Sequence, residues 1–411
     1  MTKEERKHID LALQGGGSHG ALTWGVLDRL LEEERLEIDG VSGTSAGAMN
    51  AVVLADGLHR GGREGARQAL HDFWRGVSDA ARFSPIQPTP WDQLMGNSSL
   101  DNSPSYLMFE SLTQLIAPAK LNPMKFNPLR DLVCKLVDFE RVNACRKAKV
   151  YVTATNVRTG RAKVFTQPEI SVDTVMASAC LPFMFPAVEI DGEAYWDGGY
   201  SGNPALFPLV DDMDCQDLVV IQVNPLVRQR LPDSARDIIN RINEITFNTS
   251  LIKELRSIQL LQQLIDAEGL EVERYRSMRL HLIHAEQEVE KLSASSKLNA
   301  QWDFVSRLYR QGRGWADLWL KENFDKLGQC STFDLNAVFS DTFRPLARPS
   351  GTSQDVDAAE LDKPSARLPT EKAPTEKAPT DKGSSTKPTG YKQTGNKQTD
   401  TKEKSGKGDK S

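Results

Sequence analysis

The sequence predicts an α/β fold with a central, mostly parallel sheet and helices on its faces. Two units near the N-terminus carry this prediction. The first runs from residue 9 to residue 34 as an apolar strand, a glycine turn at 15–20 and an amphipathic helix. The second runs from 38 to 55 and has the same order, with its turn at 43–47. A repeated strand-helix order favours parallel strands, because each helix carries the chain back across a face of the sheet.

Later segments extend this pattern. Val150–Val157 and Leu218–Val223 are rich in β-branched residues and predict buried strands, and 279–284 predicts a last strand. The stretches 234–268 and 297–323 predict helices. The segment Phe83–Pro128 is rich in Pro, Asn, Ser, Met and aromatic residues without a clean period, and we interpret it as a cap over a pocket.

The C-terminal segment 342–411 has a different composition. Apolar periodicity stops near residue 342, and Pro, Thr, Lys, Gly and Ser follow, with Lys at every fifth position from Lys372 to Lys407. A five-residue step forms no single helix face, and the prolines oppose helix. We therefore predict a disordered tail. Its role stays open between a solvated tail without a partner and a tether to a partner or a membrane surface.

Composition limits the class of protein. The net charge of −5 gives no basic field for nucleic acid, so no nucleic-acid partner is expected. Five scattered Cys without a CxxC pair predict reduced thiols and no metal site. The charged N-terminus lacks a signal-peptide core, and no window approaches 18 apolar residues. We expect a cytoplasmic protein, in contact at most with the surface of a membrane.

The turn Gly43–Gly47 carries a candidate nucleophile. In the pattern Gly-x-Ser-x-Gly, Ser45 lies between a strand and a helix, so that its hydroxyl stands above the sheet while small neighbours allow a strained turn. The helix N-terminus also points unpaired N–H groups at an oxyanion. We predict that Ser45 is a nucleophile.

The turn Gly15–Gly20 allows two interpretations. Gly15, Gly17 and Gly20 match the dinucleotide pattern G-x-G-x-x-G, but the next strand ends in Gly43-Thr44-Ser45 where an acidic ribose partner is required. The alternative is an oxyanion hole formed by the backbone N–H groups of Gly15, Gly16, Gly17 and Ser18. A phosphate-binding P-loop is excluded, because Gly20 is followed by Ala and Leu.

A third motif supplies a candidate base. Asp197 stands on a glycine turn, with Gly198 and Gly199 after it and aromatic residues on either side. Partial desolvation between aromatic rings raises the basicity of a carboxylate. Alone, the motif is equally compatible with an ordinary Asp-Gly-Gly turn.

Together, these motifs resemble the patatin-like phospholipases in order and spacing. The resemblance covers 9–210, and the segments 177–182 and 185–203 also look like that family's stretch around its aspartate. It implies a three-layer α/β/α catalytic domain at 9–210, which 211–341 extends with a strand and helices. It also implies a Ser45–Asp197 dyad without His, lipid acyl hydrolase activity and no cofactor.

Two positions depart from the family, and one alternative base stays open. His19 stands where many members carry Arg or Lys, and Gln14 replaces a frequent Asp or Ser. Neither change removes a backbone donor. A Ser-His-Asp triad in the order Ser, Asp, His would require His281 or His284, both in the predicted last strand.

We therefore expect a serine hydrolase that cleaves lipid esters through an acyl-enzyme. The same dyad would serve an intracellular esterase or a polyester depolymerase, and the sequence does not separate these substrates. A non-catalytic scaffold that acts through its tail is the remaining alternative. The partners expected are a lipid or other ester substrate and a membrane surface.

Overall fold

Most of the chain up to residue 339 is described by the structure, a computed structural model. The chain divides into two units, Met1–Pro345 and Leu346–Ser411. The described residues are 6–82, 84–95, 97–124, 126–228, 231–268, 277–284, 286–335 and 339. The predicted tail at 342–411 lies outside them.

One eight-stranded sheet forms the centre of the described residues. Its strands are β1 (Lys7–Leu13), β2 (Leu36–Thr44), β3 (Lys149–Asn156), β4 (Ala162–Thr166), β5 (Val188–Ile190), β6 (Glu193–Asp197), β7 (Asp217–Ile221) and β8 (Arg279–Ile283). The order is β5-β6-β3-β2-β1-β7-β8, and β4 also pairs with β3. The five strands β3, β2, β1, β7 and β8 pair in parallel. Strands β4 and β6 pair antiparallel with β3, and β5 pairs antiparallel with β6. The predicted mostly parallel sheet is confirmed.

Helices flank the sheet. They are α1 (Gly20–Glu32), α2 (Ala46–Ala81), α3 (Pro90–Leu94), α4 (Pro104–Leu115), α5 (Pro118–Leu121), α6 (Pro128–Leu136), α7 (Phe139–Ala144), α8 (Val172–Ser178), α9 (Phe207–Asp212), α10 (Ala235–Glu268), α11 (Glu286–Val289) and α12 (Trp302–Asn323). Helix α2 is broken at Gly61 and Gly62, whose backbone angles are not helical. Two 3₁₀ turns, Gly17–His19 and Ser295–Leu298, lie beside the candidate site.

The sheet separates two apolar cores. Strand β7 shows this alternation, since Val219 and Ile221 point into one core and Leu218 and Val220 into the other. Helices α1, α2 and α12 cover the first core, and α9 and α10 cover the second. The three-layer α/β/α prediction is confirmed.

Helices α1 and α12 approach each other at two glycines. A Cβ on Gly25 would lie 2.1 Å from the carbonyl oxygen of Tyr309, and a Cβ on Gly312 would lie 2.0 Å from that of Leu22. Only glycine permits this backbone contact. Helix α12 is therefore packed directly on α1.

The antiparallel strands and several short helices were not predicted. Strands β5 and β6 are three and five residues long, too short for a clear alternation, and they meet at a turn with Asp191 at φ 51° and Gly192 at φ 79°. The segment interpreted as a cap contains α3, α4 and α5. Among the described residues, no helix is long and apolar enough to cross a membrane.

Candidate active site

Ser45 occupies the sharp turn between β2 and α2. Its backbone has φ 56° and ψ −120°, a conformation that a residue with a side chain rarely adopts. Its amide donates to the Ser178 hydroxyl at 2.8 Å. A Cβ on Gly47 would lie 2.2 Å from the carbonyl oxygen of Leu13, so this turn requires glycine. A strand, a strained turn and a helix thus follow one another at Ser45.

Asp197 reaches the same end of the sheet from a different direction. It is the last residue of β6, which runs antiparallel to β3. In β3, Thr153 pairs with Thr44 of β2, and the next residue, Ala154, pairs with Asp197. A single strand therefore separates Asp197 from the turn that carries Ser45.

Three hydrogen bonds hold the aspartate turn. The Gly199 amide donates to Oδ1 of Asp197 at 2.7 Å. The Asp197 amide donates to the carbonyl oxygen of Cys180 at 2.7 Å, and its own carbonyl accepts from the Thr155 hydroxyl at 2.8 Å. The carboxylate is thus held by its own turn, and the backbone of Asp197 is held by the two segments beside it.

The carboxylate of Asp197 is buried, and burial raises its pKa from 3.8 to about 6. The Gly199 amide, the Ser45 side chain and the charge of Lys297 act in the opposite direction. A base with a pKa near 6 is ionised at neutral pH, yet it holds a proton far better than an exposed Asp.

The glycine turn lies against Ser45. A Cβ on Gly15 would lie 2.8 Å from Cβ of Ser45. The Gly15 amide, however, donates to Oδ1 of Asn203 at 2.7 Å, so the expected set of four oxyanion donors needs a correction. Gly16, Gly17 and Ser18 remain as candidates, since amides at the start of a helical turn lack an acceptor within that turn.

The other motif glycines also mark close backbone contacts. The tightest is at Gly198, where a Cβ would lie 2.1 Å from the carbonyl oxygen of Thr153. Gly20 and Gly43 lie against the start of α2. These contacts bring the three motifs together at one end of the sheet.

Gln14 has a structural role in this arrangement. Its Nε2 donates to Oδ1 of Asn248 at 2.9 Å. Its Oε1 accepts from the amides of Val223 at 3.0 Å and Asn224 at 2.9 Å. The amide side chain thus joins the end of β1 to the segment after β7 and to α10.

A cavity of about 280 Å³ opens at these motifs. Its polar lining includes Ser45, Asp197, Asn203, Lys297 and residues of the glycine turn. The rest of the lining is mostly apolar and consists of Ala46, Met49, Phe73, Trp74, Val77, Leu129, Ala179, Leu181, Met184, Phe185, Phe247 and Leu298. Its volume is near the lower limit of small-molecule pockets, roughly 300 Å³.

The histidines that could complete a triad lie elsewhere. His281 is buried, with Nε2 at 3.0 Å from Oδ1 of Asp217 and Nδ1 at 2.8 Å from the Thr332 hydroxyl. Asp217 begins β7, at the opposite end of the sheet from Ser45. His284 is exposed, and no histidine among the described residues lines the cavity.

Three polar residues of the site were not identified from the sequence. Ser178 and Asn203 lie in segments that resemble the family, but no motif singles them out. Lys297 comes from the 3₁₀ turn before α12, far along the chain, and no pattern in the sequence marks it. Only the tertiary fold brings these side chains to Ser45.

Comparison with known proteins agrees with this fold and these motifs. Residues 11–210 match the patatin family model, described as patatin-like phospholipase. The chain therefore contains a patatin-like phospholipase domain, as the motifs predicted. The family is one of lipid hydrolases, and the matched domain assigns the protein to this class. No curated protein matches the chain significantly.

Solved structures with similarity to this chain include two bacterial proteins. VipD from Legionella pneumophila is 16% identical, with a TM-score of 0.36, over 80% of this chain and 72% of that chain. ExoU from Pseudomonas aeruginosa, solved in complex with SpcU, is 14% identical, with a TM-score of 0.29, over 78% of this chain. The chain spans only 52% of that ExoU chain.

Proposed function

We propose that the protein hydrolyses carboxylic esters of lipids, with Ser45 as nucleophile and Asp197 as base. The observation that carries this proposal is the position of a serine on a strained strand-to-helix turn, in one cavity with a buried carboxylate and a glycine turn. A strained backbone persists only where the surrounding structure enforces it, and such residues cluster at active sites.

Acylation begins when the Asp197 carboxylate accepts the proton of the Ser45 hydroxyl. Oγ of Ser45 attacks the ester carbonyl, and the amides of Gly16, Gly17 and Ser18 hold the oxyanion. The tetrahedral intermediate then collapses, the bond to the alcohol oxygen breaks, and Asp197 returns its proton to the departing alcohol. Ser45 is left as an acyl ester.

Deacylation repeats these steps with water. Asp197 accepts a proton from water, and the resulting hydroxide attacks the acyl carbonyl. Collapse of the second intermediate releases the fatty acid, and the Ser45 oxygen recovers the proton from Asp197. One water is consumed for each ester cleaved.

The apolar lining of the cavity favours a lipid over a small polar ester as the substrate. Its apolar wall includes Phe73, Trp74 and Phe247 as well as Leu181 and Met184. Such a wall favours an acyl chain, because each buried CH₂ contributes about 0.8 kcal/mol to binding.

Exposed apolar side chains beside the cavity support contact with a lipid surface. Met124 and Phe126 are 89% and 67% exposed and line a groove of about 740 Å³ that shares Phe185 with the cavity. Phe183, 65% exposed, belongs to the turn that contributes Leu181 and Met184 to the wall. Apolar side chains grouped on a surface favour insertion between lipid headgroups.

The test of the chemistry compares Ser45→Ala and Asp197→Asn with wild type on a medium-chain nitrophenyl ester and on phospholipid vesicles. Ser111→Ala and Asp191→Asn are matched controls, because both residues are exposed and neither lines the cavity. We expect both site variants to fold and to lose at least about 100-fold in kcat. A fluorophosphonate probe should label Ser45 in wild type and leave Ser45→Ala unlabelled.

Several outcomes would change the proposal. Near-normal activity in Asp197→Asn would remove the dyad. Cleavage of the soluble ester but of no lipid would favour an esterase. A wild-type protein that is inert toward esters and toward the probe would favour a scaffold.

The lipid contact has its own test. Met124→Ser and Phe126→Ser should weaken binding to phosphatidylcholine vesicles and reduce vesicle hydrolysis, while the rate on the dispersed nitrophenyl ester stays within about twofold. Leu318→Ser is the control, since Leu318 is 58% exposed on α12, which does not line the cavity. Equal effects on the two substrates would contradict a role at the lipid surface.

A further inference from the structure

The glycine turn carries no cation of its own. His19, at the position where many family members have Arg or Lys, is buried, and its Nε2 lies 2.8 Å from the Ser296 hydroxyl. Its Nδ1 has no partner among the described residues. Burial lowers the pKa of His19 well below its ordinary value, so the imidazole is neutral.

A cation reaches the turn from another part of the chain. The 3₁₀ turn Ser295–Leu298 packs on Gly17, where a Cβ would lie 2.5 Å from the carbonyl oxygen of Lys297. Gly17 also has φ 57°, so both the backbone conformation and the close contact with Lys297 favour glycine there. The Lys297 side chain lines the same cavity as Ser45 and Asp197.

Asn224 fixes the position of the ammonium group. Nζ of Lys297 donates to Oδ1 of Asn224 at 2.7 Å. Nδ2 of Asn224 in turn donates to the carbonyl oxygen of Gly15 at 2.7 Å. One side chain thus ties Lys297 to the turn that holds the candidate oxyanion donors.

The segment that carries Lys297 is itself braced. The Leu100 amide donates to the Ser295 hydroxyl at 3.0 Å, and Nδ2 of Asn299 donates to the carbonyl oxygen of Ser98 at 2.9 Å. His19 holds the same turn through Ser296. Lys297 is therefore held on a supported backbone rather than on a free loop.

The nearest opposite charges leave Lys297 available to the site. Glu244 is already paired with Arg228 at 2.6 Å and with Arg241 at 3.2 Å. Among the described residues, no carboxylate lies within 4 Å of Lys297 Nζ, although Asp197 is near enough to feel its charge. Lys297, whose ammonium group donates to the amide oxygen of Asn224, is positioned to respond to a new negative charge in the cavity.

We propose that Lys297 supplies the positive charge that stabilises the oxyanion formed from the ester carbonyl, in place of the cation that many relatives carry on the glycine turn. This inference rests on the proposed function. Lys297 stays protonated throughout and transfers no proton. Because its charge is present before reaction, it lowers the barrier without reorganisation of solvent.

The test uses the full-length protein and an uncharged nitrophenyl ester, which has no phosphate for Lys297 to bind. Lys297→Met and Lys297→Gln remove the charge, and Gln keeps a donor for Asn224. We expect kcat to fall about 10- to 100-fold with KM nearly unchanged, somewhat less than the loss of an oxyanion donor. Lys297→Arg should restore most of kcat, and Lys291→Met, at an exposed lysine of the same segment, should match wild type.

The pH profile gives a readout that packing alone would not move. The groups that face Asp197 are Ser45, the Gly199 amide, Cys180, Tyr200 and Lys297. Of these, Lys297 carries the positive charge that favours the ionised carboxylate and lowers the pKa of Asp197. Its removal should therefore move the acid side of the kcat/KM profile to higher pH. Burial lowers the pKa of Lys297 itself. We therefore expect activity to fall at alkaline pH as Lys297 loses its proton. In Lys297→Arg this fall should move to higher pH, because a guanidinium stays protonated.

Two results would overturn the inference. One is a normal kcat on the uncharged ester in folded Lys297→Met and Lys297→Gln. The other is a raised KM confined to phospholipid, which would assign Lys297 to the headgroup phosphate. If Ser45→Ala is inactive while the Lys297 variants are normal, only this inference fails. If Ser45→Ala stays active, the proposed function fails first.

Discussion

The hydroxyl of Ser178, in α8, accepts a hydrogen bond from the amide of Ser45 at 2.8 Å. This bond satisfies a backbone donor at the strained turn. Ser178→Ala leaves that donor without its partner, so we expect the free energy of unfolding to fall by about 1–3 kcal/mol and kcat to decrease. Urea unfolding and esterase assays measure both. Unchanged stability and kcat would show that another group satisfies the amide.

In the proposed mechanism, the pKa of Asp197 sets an acid limit on activity. The base must be ionised to accept the Ser45 proton, and burial raises its pKa to about 6. We therefore expect kcat/KM to rise with pH and to reach half of its plateau near pH 6. A profile with its acid midpoint near 4 would mean that the carboxylate is solvated, contrary to the structure.

The same burial makes Asp197 unfavourable for stability at neutral pH. Between about pH 4 and pH 6 the folded state keeps a proton that the unfolded state has released, so the free energy of unfolding falls as pH rises. Asp197→Asn should thus be more stable than wild type at pH 8, by up to about 3 kcal/mol, and similar to it at pH 4. Asp10 and Glu254, whose pKa values burial also raises to about 7, are present in both proteins. A constant difference across pH would contradict this expectation.

His281 is expected to be structural. Its ring bridges Asp217 and Thr332 at the far end of the sheet. His281→Asn should lower the free energy of unfolding by about 1–3 kcal/mol, while the folded fraction keeps kcat within about twofold of wild type. A loss of kcat in folded protein, with normal binding of substrate, would revive the triad.

Two glycines on α12 offer a matched pair. Gly312→Ala places a methyl group against the Leu22 carbonyl and should destabilise the protein by about 1–3 kcal/mol. Gly314 has open space around its Cβ position, so Gly314→Ala should stabilise by about 0.4–1 kcal/mol. The melting temperatures of both variants, compared with that of wild type, test this expectation. Equal shifts would mean that α1 and α12 separate easily.

The sequence predicts the parallel part of the fold because long, periodic segments and turn residues encode it locally. Strands β1, β2, β3, β7 and β8 and helix α10 lie within a few residues of their expected bounds. The antiparallel edge was missed because β5 and β6 are too short to show a period. Helix α12 was expected from residue 297 but begins at Trp302, since Ser295–Leu298 forms a separate 3₁₀ turn.

The residues of the candidate site likewise form two groups, those that the sequence predicts and those that it does not. Ser45, Asp197 and the glycines lie in contiguous motifs, and the fold brings Ser45, Asp197 and Gly15–Gly17 into one cavity. The part that Asn203 plays could not be predicted, because it depends on a contact with Gly15 across 188 positions. Lys297 donates a hydrogen bond to Asn224, which lies 73 positions away in the chain, and no local sequence pattern predicts that contact.

Strand β7 pairs with β1 along Asp10–Leu13, although β7 follows residue 210, where the match to the family ends. A fragment cut at that boundary would leave β1 as an edge strand with unpaired N–H and C=O groups, which can pair with a strand of another molecule. Such a fragment should aggregate. The shortest piece of the chain suited to expression therefore extends through β8 and α12, to about residue 335.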